Sequence, residues 1–299
     1  MSDARIAIIQ HTLRWNDVEE NLRHITELMD DRQGADLYVL SETFATGFLA
    51  EGGKGNDRGS DCRKEDEEQN DRSSEWKAAI GRQGERMLGW MEQQARRLDA
   101  AVAGSVATTD ADGQLRNRLY FVRPDGSYDY YDKRHLFSYA GETDAYVAGR
   151  RRVVVAWRGV RFLLQVCYDL RFPVFSRRTL QHDVCHANGD DGSADGNGDY
   201  DAILYVANWP KSRREVWQTL LRARALENQC FVVGVNVVGN DGVSNYVGDS
   251  VIIDAYGHTV AACTPGEAGS AVADLDMSRL EHFRQKFPVI DDADRWLLI

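Results

Sequence analysis

The sequence predicts an α/β (α+β) fold in which two mixed β-sheets stack face to face between outer helices, a four-layer α-β-β-α sandwich. Helix-like and strand-like patterns alternate along the 299 residues, and most predicted strands are apolar on both sides, as strands covered on both faces are. The pattern also divides into two halves, each with strands, a β-hairpin and amphipathic helices. Hydrophobic residues make up 43% of the chain, enough for a large core, so we expect residues 1–299 to form a single domain.

The first half of the chain supplies one predicted sheet and its helices. Asn16 is the predicted cap of a helix whose apolar face consists of Val18, Leu22, Ile25 and Leu28. A turn signal, Arg-Pro-Asp-Gly at 123–126, joins two strands into a hairpin. The other predicted elements of this half are strands at 5–10, 36–41 and 100–108, a helix at 76–98, and the hairpin strands at 117–122 and 127–131.

The second half repeats this arrangement. The inward face of a predicted helix at 215–228 consists of Trp217, Leu220, Leu221, Ala223 and Leu226. The other predicted elements are hairpins at 151–157 with 160–166 and at 248–254 with 259–263, strands at 202–207, 231–238 and 270–275, and a short helix from 173 to about 181. The tail at 277–299 ends in apolar residues, which we expect to pack on the body or on a partner subunit.

Two hydrophilic segments interrupt the alternation of strands and helices. Residues 51–75 and 183–199 are rich in Gly and Asp and carry no apolar periodicity, so we predict solvated insertions. Their composition does not decide whether they gate a site. Three potential metal ligands, His182, Cys185 and His186, lie in or beside the second insertion, but its glycine content disfavours the helical geometry that such a site requires. We therefore predict no metal and no cofactor.

Charge and cysteine content limit the partners and the compartment. With 36 basic and 47 acidic residues the net charge is −11, which argues against nucleic acid or an anionic membrane as a partner. No apolar run approaches the roughly 20 residues of a membrane span, and the first residues lack the features of an export signal. The five cysteines are odd in number and scattered. We therefore predict a reduced, cytoplasmic protein.

Three potentially reactive side chains stand at the ends of predicted strands. The apolar run at 160–166 leads to Cys167, whose sulfur can face solvent while the following N–H groups stay free for a ligand. Glu42 follows the second strand and Lys133 follows the first hairpin. Each has an ordinary structural alternative: a buried thiol, a solvated carboxylate at a strand end, or an edge charge that discourages sheet pairing. Sites in layered α/β folds collect at strand ends, so the three together indicate a site.

Each of these three residues lies in a distinctive short motif. The motifs are Leu40-Ser-Glu-Thr-Phe44, Tyr131-Asp-Lys-Arg-His-Leu-Phe137 and Val166-Cys-Tyr-Asp-Leu-Arg-Phe-Pro173, in that order. They resemble the catalytic motifs of the nitrilase superfamily of carbon-nitrogen hydrolases. The resemblance covers nearly the whole chain. It implies the α-β-β-α sandwich, a catalytic triad of Glu42, Lys133 and Cys167, a second, positioning glutamate at Glu142, and assembly into a homodimer or a larger homo-oligomer.

Four segments look most similar to the omega-amidase branch of that superfamily, at 167–176, 206–210, 223–229 and 246–250. That branch hydrolyses the terminal amide of 2-oxoglutaramate and 2-oxosuccinamate, so the resemblance implies a small-molecule amide substrate. The alternatives are another hydrolase of the superfamily, such as a carbamoylase or an aliphatic amidase, and a binding protein that keeps the fold without turnover. A papain-like Cys-His enzyme is a further alternative, because spacing does not exclude His135 as the base.

The chemistry of an amide explains the residue types. Because an amide is a weak electrophile, we expect Glu42 to take the thiol proton of Cys167, pass it to the departing ammonia and later activate the water that cleaves the thioester. Lys133 and the backbone N–H of Tyr168 are expected to stabilise the oxyanion. Lys133 favours an ionised Glu42, whereas burial and Glu142 oppose it, and the sequence does not decide between them.

The substrate carboxylate requires a cation near the nucleophile. Arg171 is the candidate, and a structural ion pair with Asp169 is the alternative use of its charge. Asn208 and Trp209 follow the next predicted strand and are the predicted pocket residues.

Overall fold

The computed structural model of the chain describes residues 3–15, 17–47, 66–178 and 200–294. The strands are β1 Ala4–Gln10, β2 Leu37–Val39, β3 Ala101–Thr109, β4 Leu115–Val122, β5 Tyr128–Asp132, β6 Val154–Trp157, β7 Val160–Val166, β8 Ala202–Val206, β9 Phe231–Val235, β10 Val238–Asn240, β11 Asn245–Val247, β12 Val251–Ile253, β13 Thr259–Ala262 and β14 Gly269–Leu275. The helices are α1 Val18–Asp30, α2 Asp66–Leu98, α3 Glu142–Ala145, α4 Pro173–Ser176, α5 Arg214–Asn228 and α6 Met277–Lys286.

Two six-stranded sheets form the centre of the fold. Their strand orders are β14-β1-β2-β3-β4-β5 and β13-β12-β9-β8-β7-β6, and β10 and β11 form a separate two-stranded ribbon. Strands β1, β2 and β3 are parallel in the first sheet, as are β7, β8 and β9 in the second, while the flanking strands pair antiparallel. The carboxyl ends of parallel strands lie at one edge of a sheet, so the segments after β2, β7 and β8 can contribute to one site.

Three apolar clusters define the layers. One cluster lies between the two sheets, where the rings of Phe121 and Phe162 have centroids 6.0 Å apart. A second packs α1 and α2 on the outer face of the first sheet, and a third packs α5 on the outer face of the second. The layers therefore run helix, sheet, sheet, helix, which confirms the predicted four-layer sandwich.

The largest difference from prediction concerns the first insertion. Helix α2 begins at Asp66 rather than at Trp76, inside the segment that we expected to be a solvated loop. Acidic residues near a helix start are favoured by the macrodipole, and Glu and Gln are good helix formers, so a hydrophilic segment can be helical without apolar periodicity. Residues 48–65 lie outside the described part of the chain.

Several element ends also differ from prediction. Helix α1 is capped by Asp17, whose carboxylate accepts a hydrogen bond from the Glu20 N–H at 3.3 Å, whereas the predicted cap, Asn16, lies outside the described residues. Strand β9 ends at Val235 rather than at the predicted Val238, and Val238 is the first residue of β10. The helix predicted to reach about residue 181 ends at Ser176 in α4.

Helix α5 carries a correction to its predicted inward face. Leu226 is 49% exposed, whereas Arg224 is buried. The Arg224 guanidinium donates to the Leu170 carbonyl at 2.6 Å and to Glu227 Oε1 at 3.0 Å. A buried carbonyl at the end of the neighbouring turn needs a donor, and an apolar periodicity argument does not detect that need.

Some predictions lie outside what the structure describes. Residues 179–199, which include His182, Cys185 and His186, and the apolar tail end at 295–299 are among them. In the described ranges no group of three metal-ligating side chains occurs, and no helix there is long and apolar enough to span a membrane.

Candidate active site

Cys167 stands at the sharp turn that follows β7. Its backbone φ is +47°, which lies in the left-handed region. This conformation is unfavourable in free energy for any residue that has a side chain. Residues Cys167–Arg171 continue as a 3-10 turn. The thiol is partly buried and contacts both the cluster between the sheets and the cluster under α5. The turn therefore places the sulfur at the edge of the second sheet, between two packed layers.

Glu42 reaches the same place from the first sheet. Its carboxylate accepts hydrogen bonds from Lys133 Nζ and Asn117 Nδ2, both at 2.8 Å, on one oxygen. The other oxygen accepts from the Asn208 N–H at 2.9 Å. Burial raises the pKa of the Cys167 thiol, and the charge of this carboxylate raises it further. A base and a thiol from different sheets are thus neighbours.

Lys133 lies between two carboxylates. Its ammonium donates to Glu42 Oε1 at 2.8 Å and to both oxygens of Glu142, at 3.0 and 2.8 Å. Lys133 is 2% exposed and Glu142 is fully buried. Glu142 is the first residue of α3 and also accepts the Phe137 N–H at 2.6 Å. An ammonium has three N–H donors, and all three are used by these carboxylates.

A second layer of polar side chains fixes the two glutamates. Asn117 Nδ2 bridges them, at 2.8 Å from Glu42 and 3.1 Å from Glu142. Its Oδ1 accepts from Ser105 Oγ at 2.9 Å, and the same hydroxyl accepts the Thr43 N–H at 2.9 Å. Because each buried polar group has a partner, the carboxylates are held in one orientation.

Comparison with known proteins identifies the family of the chain. Residues 5–285 match the family model for carbon-nitrogen hydrolases. The chain belongs to the carbon-nitrogen hydrolase family. It is therefore a hydrolase of C–N bonds other than peptide bonds.

Relatives over the full length agree with this assignment. The chain is 40% identical over 300 residues to the omega-amidase YafV of Yersinia enterocolitica, covering 100% of both chains. It is 28% identical over 291 residues to the 2-oxoglutaramate amidase of Bacillus subtilis, covering 96% of each. The crystal structure of XC1258 from Xanthomonas campestris, a CN-hydrolase superfamily protein with an arsenic adduct in its active site, matches with a TM-score of 0.81 and 37% identity over 100% of both chains.

The protonation state of this carbon-nitrogen hydrolase site follows from its neighbours. Burial alone would raise the pKa of Glu42, but the Lys133 charge and hydrogen bond outweigh it, so the pKa is lowered. Burial would lower the pKa of Lys133, but Glu142 and Glu42 raise it well above its usual value. Burial and then the Glu42 charge raise the pKa of the Cys167 thiol. The resting site therefore holds a neutral thiol beside an ionised Glu42, which the sequence left undecided.

Asp169 connects the two segments that carry Cys167 and Lys133. Its buried carboxylate accepts hydrogen bonds from the Val166 N–H at 2.9 Å and the Tyr131 hydroxyl at 2.8 Å. It also contacts His135, at 3.0 Å from the backbone N–H and 2.7 Å from Nδ1. Asp169 thus joins the end of β7 to the end of β5 in the hydrolase.

The structure bears on two alternatives that the sequence left open. The alternative ion pair between Arg171 and Asp169 is not formed, and the Arg171 guanidinium instead lies 5.2 Å from the ring centroid of Trp209. His135 directs Nδ1 to Asp169 and stacks on Phe172 with centroids 3.9 Å apart. After burial, the charge that raises the pKa of the Cys167 thiol most is that of Glu42, whereas His135 is engaged by Asp169, which argues against a Cys-His enzyme.

The remaining predicted pocket residues occupy different environments. Asn208 contributes its backbone N–H to Glu42, and its side-chain Nδ2 donates to Thr43 Oγ1 at 2.9 Å. The Tyr168 ring packs against Phe137, with centroids 4.9 Å apart. Trp209 is only 4% exposed and belongs to the cluster under α5, so it is a core residue rather than an open pocket wall.

Sequence reasoning missed Asn117, Asp169 as a connecting residue, and Asn236. The Asn236 amide accepts the Trp209 N–H at 2.7 Å and donates to the Trp209 carbonyl at 3.0 Å, which fixes the segment after β8. Asn117 had a detectable signal, because asparagine is depleted in strands and here it interrupts a strand pattern. Asp169 and Asn236 had none, since most of their partners come from distant parts of the chain.

Proposed function

We propose that this hydrolase is an omega-amidase, which releases ammonia from the terminal amide of 2-oxoglutaramate and 2-oxosuccinamate. The observation that carries the proposal is the buried group in which Lys133 binds Glu42 and Glu142, both at 2.8 Å, beside the Cys167 thiol. Such a nucleophile, base and cation in one cluster suit acyl transfer from an amide. The 40% identity to a full-length protein named omega-amidase supports this branch over others.

In the first half-reaction Glu42 is the general base. Cys167 Sγ gives its proton to Glu42 and attacks the amide carbon, which forms the C–S bond and a tetrahedral oxyanion. When the oxyanion collapses, the C–N bond breaks and the nitrogen leaves as ammonia with the proton that Glu42 held. A thioester of the 2-oxo acid remains on Cys167.

Lys133 and the backbone N–H of Tyr168 stabilise the oxyanion in this proposal. At rest, all three donors of Lys133 are used by carboxylates. Protonation of Glu42 removes the negative charge that holds one of them, so a Lys133 N–H and its charge become available as the oxyanion forms. Glu142 keeps the remaining donors in place and is a positioning residue.

The second half-reaction uses the same base. Glu42, again ionised after ammonia has left, takes a proton from water, and the oxygen attacks the thioester carbon. The C–S bond breaks, the sulfur leaves with that proton, and the product is the dicarboxylate. No step requires a metal or a cofactor.

A substrate panel tests the proposal. Ammonia release is measured for 2-oxoglutaramate, 2-oxosuccinamate, glutamine, butyramide and an N-carbamoyl amino acid. We expect fast turnover of the two keto-acid amides and slow or undetectable turnover of the others. Faster release from butyramide or from the carbamoyl compound would assign the chain to a different activity of the same family, and inertness toward the whole panel would favour the non-catalytic alternative.

Arg171 is the proposed ligand of the substrate carboxylate. In Arg171→Lys we expect the KM for 2-oxoglutaramate to rise about 10-fold with little change in kcat, because lysine keeps the charge but loses the bidentate fork. Steady-state kinetics measures both constants. Arg158→Lys, a change at a half-exposed arginine paired with Asp36 at 3.6 Å, is the control and should leave KM unchanged. An unchanged KM in Arg171→Lys would count against the role.

Three expectations stay predictions. They are a single domain over residues 1–299, a cytoplasmic location and assembly into a homodimer or a larger homo-oligomer. The net charge of −11 and the unpaired cysteines support the second, and family resemblance supports the third.

A further inference from the structure

We propose that Arg213 binds the distal carboxylate of the substrate together with Arg171, and so selects 2-oxo acid amides over uncharged amides. This inference rests on the proposed omega-amidase function and adds to it a specificity-determining residue that the sequence motifs do not mark.

The backbone that carries Arg213 is fixed relative to the proposed base. Arg213 ends the 3-10 turn Lys211–Arg213, which follows β8. At the start of the same segment the Asn208 N–H donates to Glu42 at 2.9 Å. Further along, Trp209 Nε1 donates to the Arg213 carbonyl at 2.8 Å. The segment from Asn208 to Arg213 is therefore held at both ends beside the site.

The guanidinium of Arg213 lies in an aromatic cluster that begins beside the nucleophile. It is 5.2 Å from the ring centroid of Phe137 and 5.7 Å from that of Tyr139. Phe137 in turn packs on Tyr168, the residue after Cys167, and gives its N–H to Glu142. A chain of ring contacts thus runs from Tyr168, the residue after Cys167, through Phe137 to the Arg213 guanidinium.

The charge of Arg213 has no carboxylate partner among the residues that the structure describes. The adjacent Arg214 shows the contrast, since Asp249 binds it with two hydrogen bonds of 2.6 and 2.8 Å. Arg213 is partly buried against rings, which restrict the guanidinium and reduce its hydration. A planar guanidinium that is packed on rings and has no carboxylate partner among the described residues is suited to bind a carboxylate through two parallel hydrogen bonds.

Trp209 contacts both arginines, the guanidinium of Arg171 and the backbone of Arg213. The Arg171 guanidinium lies over the Trp209 ring, 5.2 Å from its centroid, and the indole N–H of the same ring binds the Arg213 carbonyl. Arg171 likewise has no carboxylate partner in the described part of the chain. A 2-oxo acid presents a carboxylate and an adjacent keto oxygen, which offers acceptors to two separate cations. Glutamine, in contrast, would place an ammonium group beside the two arginines, where like charges repel.

The test compares Arg213→Gln with wild type and with Lys211→Gln, which removes an exposed positive charge from the same turn. For Arg213→Gln we expect the KM for 2-oxoglutaramate to rise about 10- to 100-fold with kcat changed by less than about 2-fold. Arg213→Lys should recover part of the loss, and Lys211→Gln should behave as wild type. A fall in kcat with an unchanged KM, or equal effects of Arg213→Gln and Lys211→Gln, would overturn the proposal.

A second measurement does not depend on turnover. Cys167 is alkylated by iodoacetamide with and without the product 2-oxoglutarate. In Arg213→Gln the alkylation rate without ligand should match wild type, which shows an intact site, while protection by 2-oxoglutarate should require about 10-fold or more ligand. Unchanged protection in Arg213→Gln would overturn the proposed role of Arg213 but would leave the proposed omega-amidase function standing. If wild type neither turns over keto-acid amides nor is protected by 2-oxoglutarate, the proposed function fails as well, and the two failures are distinguishable.

Discussion

Cys167→Ala is expected to reduce ammonia release from 2-oxoglutaramate by at least about 10³-fold, because no thioester can form without the sulfur. The thiol is partly buried and its replacement removes one atom, so the folded structure should persist. Intact-protein mass spectrometry during turnover provides the direct measurement: wild type should carry the mass of the 2-oxo acyl group, and the variant should not.

Cys263→Ala is the matched control for this experiment. Cys263 is a free cysteine that is 7% exposed and packs in the cluster between the sheets. Its removal should leave kcat and the acyl adduct intact. Retention of more than a few per cent of activity in Cys167→Ala, or an acyl group that survives there, would contradict the assignment of the nucleophile.

Glu42→Gln is expected to lower kcat and kcat/KM together by about 10²- to 10⁴-fold, the range associated with a positioned general base. The same residue sets the pH dependence. Its folded pKa is lowered below 4.5, mainly because Lys133 outweighs burial, so the base stays ionised as pH falls to that value. The acid limb of kcat/KM in wild type should therefore lie below pH 4.5, and activity should be lost only as pH falls through the lowered pKa.

The pH profile of the variant completes this test. The amide that replaces the carboxylate cannot titrate, so the residual rate of Glu42→Gln should lack that acid limb. Glu20→Gln is the control, because Glu20 also has a lowered pKa, through its hydrogen bond with Arg23, but lies on α1. Its profile should match wild type. An acid limb above pH 4.5 in wild type, or one that persists unchanged in Glu42→Gln, would argue for another base.

Apolar patterning predicted the layered fold because most strands are covered on both faces. The run that precedes Cys167 illustrates this, since β7 has the predicted bounds, Val160–Val166, and five consecutive buried residues. The failures have a different origin. The start of α2 at Asp66 depends on intrinsic helix propensity in a hydrophilic segment, and the burial of Arg224 in α5 depends on a carbonyl that only the folded turn presents.

Short sequence motifs predicted the three central residues of the candidate site. Glu42, Lys133 and Cys167 each follow a strand in a recognisable motif, and the structure places them in one cluster. Asn117 was marked only as an asparagine in a strand pattern, and the contacts of Asn117 with Glu42 and of Asp169 with Tyr131 and His135 form only through sheet order and stacking. Arg171 shows the limit most clearly: its neighbour in sequence, Asp169, is used by Val166, Tyr131 and His135, and its guanidinium packs on Trp209 instead.

The division of the site between two sheets has a consequence for biosynthesis. Glu42 and Lys133 belong to the sheet that β14 completes by pairing Leu275 with Ala4, and Cys167 belongs to the sheet that needs β9 and β12 beyond it. All three side chains are therefore synthesised before either sheet can be complete. Until the two sheets stack, the thiol lacks its neighbouring base and cation, so a nascent chain carries an ordinary cysteine.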